Sequence, residues 1–179
     1  IRLSLVGSEM CIRDRFVEGF ASIAAPLHEL LKKDRLWQWG RVEDESFRRI
    51  KTSISQAPAL AHDQESDHLI LRTDASQKGL GAVLSAARDG KEWPLAFVSR
   101  RTTPSEGNYH SNELESLALV WALGKLRHHL YGRTFSVLTD NGALRWLWSK
   151  KEVTGKLARW ILAMQEYDFS IGHLKGTDN

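Results

Sequence analysis

Three acidic residues of this chain stand where a carboxylate is costly unless something charged meets it. Asp74 closes the stretch Leu69-Ile70-Leu71-Arg72-Thr73-Asp74, just before the small residues Ala75, Ser76, Gly79 and Gly81. Asp140 follows Phe135-Ser136-Val137-Leu138-Thr139 in the same way, and Glu113 opens a long segment with an apolar stripe. An ionised carboxylate at the end of a buried strand needs a cation or hydrogen-bond donors. Three such groups in mutual reach repel one another strongly unless cations bind between them. Oxygen-only donors suit the hard ions Mg2+ or Mn2+. Two such ions about 3.5–4 Å apart can activate a water and stabilise the leaving oxygen in phosphodiester hydrolysis. Each acid also has a plainer reading. Asp74 could cap a turn through Ala75 and Ser76, Asp140 could cap the helix after it, and Glu113 could complement the positive end of its own helix.

The elements that must position these acids are legible as changes of period. Phe16–Lys33 has helical spacing, with a break expected at Pro26. Leu36-Trp37-Gln38-Trp39 reads as a short aromatic extended piece, and Asp44–Gln56 as a second helix. The pattern then turns to strands at His68–Thr73, Gly79–Ala86 and Pro94–Arg100, with Asp89-Gly90 as a hairpin turn. A helix over His110–Leu130 follows. Asn112 and Glu115 have capping-box spacing, which makes Glu115 the capping partner and leaves Glu113 as the ligand; the opposite assignment for Glu115 is the alternative. Arg133–Thr139 is a fourth strand, Asn141–Lys150 and Thr154–Glu166 are helices, and Tyr167–His173 is a last strand. The order βββ-α-β-α-α-β after a helical lead-in predicts an α/β fold with a mixed five-stranded sheet and flanking helices. If the strands ending in Asp74 and Asp140 are parallel neighbours, both carboxylates emerge at one edge. Glu113 shares a helix face with Leu117, Val120 and Gly124 and can point toward them.

The composition is that of an ordinary globular protein, 42% hydrophobic and 26% charged. No apolar run approaches the roughly 20 residues of a membrane span, so no membrane partner is expected. Charge is unevenly spread. Ala61–Ala118 carries six Lys or Arg against nine Asp or Glu, whereas Val120–Trp160 carries eight against two. An acidic half with the candidate ligands and a basic half after it suit a polyanion cut at a metal site. The single cysteine, Cys11, excludes an intrachain disulfide and fits an intracellular setting, a cytoplasmic particle or the nucleus. Residues 1–15 do not read like the rest. They resemble translated adapter sequence and are set aside as a non-native segment.

Taken together, several stretches resemble the reverse transcriptase–ribonuclease H region of gypsy-type LTR retrotransposons. They are Ala24-Ala25-Pro26-Leu27, Trp37-Gln38-Trp39, Ala57-Pro58-Ala59-Leu60, Thr73-Asp74-Ala75-Ser76, Gly79-Leu80-Gly81-Ala82-Val83-Leu84, Ala96-Phe97-Val98-Ser99-Arg100, Asn108-Tyr109, Glu113-Leu114-Glu115, Leu138-Thr139-Asp140, Ala158-Arg159-Trp160, and Gly176 with Asn179. Any one is weak, but their order and spacing over Phe16–Asn179 are specific.

The resemblance implies residues 16–60 as the end of a polymerase thumb and connection, and residues 61–179 as a ribonuclease H-like domain. It implies Asp74, Glu113 and Asp140 as catalytic metal ligands for two Mg2+ or Mn2+ ions, and the RNA strand of an RNA–DNA hybrid as substrate. It also implies polymerase fingers and palm upstream in the same polyprotein. Expected backbone contacts are Arg100, Arg101, Asn108, Tyr109, Lys125, Arg127, Lys150, Lys151, Lys156 and Arg159, with Ser76 and His173 as accessory residues. Trp121 and Trp160 are expected in the core. The chain departs from the family in Asn141, where His is usual, and in His173, where Tyr is frequent. The family's fourth aspartate lies beyond the loop that ends here at Asn179, so the expectation for this polypeptide includes an inactive module that holds hybrid without cutting it. An integrase or transposase of the same fold is the more distant alternative.

Overall fold

The computed structural model describes residues 16–33, 35–56, 60–139 and 155–173. Alternation of apolar and polar side chains produces the sheet. In β1 (His68–Ala75), Leu69, Leu71 and Thr73 are buried, while His68 and Asp74 are exposed. β2 (Gly79–Arg88) buries Leu80, Ala82, Leu84 and Ala86, and β3 (Lys91–Arg101) buries Leu95 and Ala96. Asp89 and Gly90 join β2 to β3 with φ of 50° and 73°, the left-handed pair that a tight two-residue hairpin requires. After the helices α4 (Ser111–Lys125) and α5 (Arg127–Leu130) comes β4 (Thr134–Thr139). α6 (Gly155–Met164) and β5 (Asp168–His173) complete the described chain.

The five strands lie in the order β3-β2-β1-β4-β5. β1 runs antiparallel to β2 and parallel to β4, with Leu69 opposite Phe135 and Arg72 opposite Leu138. The mixed sheet expected from the strand order is therefore present, and the parallel neighbours are the ones the candidate site needs. α4 covers one face. Its Leu119, Ala122 and Leu123 share a core with Leu69, Leu71, Leu84, Phe135 and Val137. Trp121 and Trp160 pack against that core from partly buried positions.

The lead-in is shorter and more broken than the period suggests. α1 (Phe20–Ile23) and α2 (Ala25–Glu29) take the place of one helix, with Pro26 in the first turn of α2, where a missing N–H costs nothing. α3 (Arg41–Ser55) begins three residues before the expected start, and Glu43 accepts from the Gly40 N–H at 2.9 Å. Val17, Phe20 and Ala24 form a small core of their own with Ile23 and Ile50. This unit docks on β3, where the Ala21 N–H donates to Ser99 Oγ at 3.0 Å and Arg101 pairs with Glu29 at 2.7 Å. The long helix expected over His110–Leu130 is divided at Leu126, whose backbone leaves helical geometry.

Leu71 is fully buried at the centre of the sheet. Leu71→Ala is expected to cost about 2–5 kcal/mol, measured as the loss of unfolding free energy in urea titrations of wild type and variant.

Candidate active site

The central strand delivers Asp74 to its end on the face opposite α4, since Asp74 alternates with the buried Leu71 and Thr73. The sequence suggested a buried acid, but the structure places Asp74 in the open. Gly81 lies directly across from it, and a Cβ built on Gly81 would meet nothing within 4 Å. The result is a cleft of about 580 Å³ floored by β1, β2 and β3, with Arg72, Asp74, Gly81 and Phe97 in its lining and Glu18 and Gly19 of the lead-in forming a wall. Among the described residues, no cation or donor meets the Asp74 carboxylate. Thr139 ends β4 at the same edge of the sheet, because β4 runs parallel to β1. Asp140 itself lies outside the described residues.

The start of α4 corrects which of the two glutamates caps the helix. His110, in extended conformation, is the cap, and Asn112 N–H donates to its Nδ1 at 3.5 Å. Glu113 is the acid of the capping box, accepting from the His110 N–H at 3.4 Å through Oε2. Its other oxygen takes Lys156 Nζ at 2.9 Å. The Lys156 ammonium holds the Glu113 carboxyl below the usual carboxylate range. Glu115, expected to cap, is instead 7% exposed among the residues of α4 that face the sheet, one turn before Ala118 and Leu119. The cap is His110, two residues before the Asn112 read from sequence, so the capping role moves from Glu115 to Glu113.

Among the described residues, four of the six cations expected to meet nucleic acid are occupied within the protein. Arg100 binds both oxygens of Glu106, at 2.7 and 2.9 Å, and lies over the Trp121 ring. Arg101 holds Glu29 of the lead-in. Lys156 sits 3.5 Å from the centre of the Tyr109 ring and bridges Glu113, and Tyr109 also meets Trp160. Arg127 pairs with Glu166 at 2.6 Å and stacks on Tyr131. Asn108 donates to the Pro104 carbonyl within its own loop. Ser76 Oγ accepts the Lys78 and Gly79 N–H groups, so it closes the β1–β2 turn. Lys125 and Arg159 are exposed and meet no carboxylate among the described residues. His173 pairs with Thr139 in the β4–β5 ladder. Lys150 and Lys151 lie outside the described residues. Pairing acid with base at this density is visible only once β3, the loop after it and α6 are brought together in space.

A family described as the RNase H-like domain found in reverse transcriptase matches residues 64–167. The chain is 39% identical over 166 residues to the retrovirus-related Pol polyprotein from transposon 297 of Drosophila melanogaster, covering 92% of this chain and 15% of that protein. It is 32% identical over 170 residues to the enzymatic polyprotein of Carnation etched ring virus, covering 92% of this chain and 26% of that one. The chain thus spans about a quarter or less of the curated relatives it matches. Among solved structures, the foamy viral protease-reverse transcriptase in complex with double-stranded DNA superposes with a TM-score of 0.77 at 18% identity, over 92% of this chain and 30% of that one. The same viral enzyme in complex with an RNA/DNA hybrid gives 0.74 at 18% identity, over 97% of this chain and 24% of that one. These superpositions include the lead-in as well as the sheet, and they establish the fold.

Arg100 holds the Glu106 carboxyl at about 2, against an ordinary 4.5. The folded state therefore binds fewer protons than the unfolded one in this range, and the pair's contribution is complete above pH 4.5 and lost as the pH falls toward 2. Urea midpoints taken between pH 6 and pH 2 are expected to fall less steeply for Glu106→Gln than for wild type across that window.

Proposed function

The chain belongs to the RNase H-like domains found in reverse transcriptase, in the form carried by Pol polyproteins of gypsy-type retrotransposons, and on that footing we propose that it hydrolyses the RNA strand of an RNA–DNA hybrid at the Asp74 end of β1. The observation that carries this reading is the state of Asp74. Glu92, Glu106 and Glu113 each hold a cation of the protein, whereas Asp74 faces an open cleft with none among the described residues. A carboxylate kept clear of internal partners is available to an external cation.

The donors fit a hard divalent ion. Asp74 offers carboxylate oxygen at the end where β4 also stops, and Glu115, near the start of the helix that covers the other face of β1, would reach an ion there only around the end of the strand. No group of three His, Cys, Asp or Glu side chains assembles among the described residues, so the third ligand in this reading is Asp140. When bound, Mg2+ or Mn2+ would supply Lewis-acid stabilisation of the phosphodiester and an activated water. The protein's own residues do the rest. Asp74 and Glu115 hold their charge at fixed points, because one sits on a strand paired on both sides and the other is anchored by the core contacts of α4. The loop ending in Asn108 and Tyr109 is fastened to β3 by Glu106–Arg100 and to α6 by Tyr109–Lys156, which makes it a fixed wall for a backbone passing the start of α4. Lys125 and Arg159 offer phosphate contacts, salt-sensitive and without sequence preference.

A Pol polypeptide containing this domain is expected to cut the RNA of a hybrid in Mg2+, and Asp74→Asn to reduce the rate by on the order of 100-fold. A variant that cuts as well as the parent, or a parent that binds hybrid and leaves its RNA intact, contradicts the reading. The two glutamates separate in the same assay. Glu115→Gln is expected to lose cleavage, whereas Glu113→Gln is expected to retain most of it while losing about 1 kcal/mol of stability from the helix cap.

A further inference from the structure

Arg72 and Asp74 are two residues apart on β1, so their side chains leave the same face of the sheet with Cα atoms about 7 Å apart. Both line the cleft. An arginine at this distance can fold forward and bind a carboxylate through two parallel hydrogen bonds. Doing so on Asp74 would occupy both oxygens and cancel the charge that a divalent cation requires.

The structure shows the guanidinium turned the other way. Arg72 donates through both terminal nitrogens to the two oxygens of Glu92, with Nη2 at 2.7 Å from Oε1. Glu92 stands on β3, two strands away. It pairs in register with Ala87, and Ala87 with His68 at the start of β1. Glu92 is therefore level with a point four residues behind Arg72, whereas Asp74 is two residues ahead. The ion pair draws the arginine backward along the sheet, away from the end where the cleft opens. With side chains 26% and 41% exposed, a pair of this kind adds little to stability. Its consequence is where it leaves the charge.

We propose that Glu92 is a positioning residue that diverts Arg72 from Asp74 and so keeps the Asp74 carboxylate open to a divalent cation. The proposal rests on the reading of Asp74 as a metal ligand. Removing the Glu92 charge frees Arg72, and the carboxylates then left in its cleft are Asp74 and, from the lead-in, Glu18.

Calorimetric titration of the whole chain with MnCl2 tests this without reference to cleavage. Glu92→Gln is expected to raise the Mn2+ dissociation constant about threefold or more, the effect of one unit charge brought against the site across partly screened water. Arg72→Met, and the double variant carrying both changes, are expected to bind within about twofold of wild type. Restoration in the double variant marks the released arginine as the cause. If Glu92→Gln binds like wild type while Asp74→Asn binds weakly, the diversion is refuted and Asp74 remains a ligand. If the double variant stays as weak as Glu92→Gln, the effect belongs to the Glu92 charge itself and the diversion is again refuted. If Asp74→Asn binds Mn2+ as wild type does, the metal-ligand reading falls and the diversion with it. Far-ultraviolet circular dichroism of each variant confirms that the sheet is retained.

Discussion

The arrangement depends on the two-sided pairing of β1. That strand gives Leu69, Leu71 and Thr73 to the core beneath α4, hydrogen-bonds to β2 on one side and lies parallel to β4 on the other. Alternation then leaves no choice for the residue after Thr73. Its side chain must leave the opposite face, just past the end of the β4 ladder. An aspartate there is held by its pairing with Gly81 of β2, two residues beyond the last β1–β4 pair, yet its carboxylate is solvated. Fixed position and open charge usually exclude each other, because the interior that fixes a group also desolvates it. The end of a central strand supplies both.

The remaining charges are arranged around that exception. Arg72 is held by Glu92, Arg100 by Glu106, Arg101 by Glu29 and Lys156 by Glu113. Two of these pairs join elements far apart in sequence, the lead-in to β3 and α6 to the start of α4, and Arg100–Glu106 ties the loop before α4 back to the end of β3. Single exposed pairs contribute little to stability. Here Arg72–Glu92 engages the one arginine that lines the Asp74 cleft, and the other pairs orient the lead-in, the loop before α4 and α6. The basic second half of the chain, which suggested a surface for a polyanion, is partly spent on internal pairing through Arg127, Arg133 and Lys156; among its described residues, Lys125 and Arg159 stay exposed without a carboxylate partner.

Much of the fold was legible because it rests on local periods. The strands of the β1–β2–β3 meander, the Asp89-Gly90 turn and the break at Pro26 each follow from a two- to four-residue pattern with a direct physical cause. Asp74 was legible as a candidate site residue for the same reason: an apolar alternation that ends on an acid. That Glu113 and not Glu115 caps α4 was not legible, because both have capping spacing to some upstream residue and only the true helix start separates them. His110, an uncommon cap, carried no signal. The fate of Arg72 was equally hidden, since Glu92 comes level with His68 only through the register of two hairpin strands and the irregularity at Leu84/Ser85. Charge partners across a sheet are a property of register, and register is set by every strand at once.

The central claim is that the open carboxylate at the end of β1 is where a divalent cation binds. Paramagnetic broadening by sub-stoichiometric Mn2+ in an amide correlation spectrum maps that location directly. The account predicts that the resonances of Asp74, Ala75 and Gly81 broaden first, ahead of those of Lys156 and of the Arg133–Asp63 contact on the far side of the molecule. Broadening that begins at Glu113 and Lys156, or that spreads evenly over the acidic surface, would contradict it.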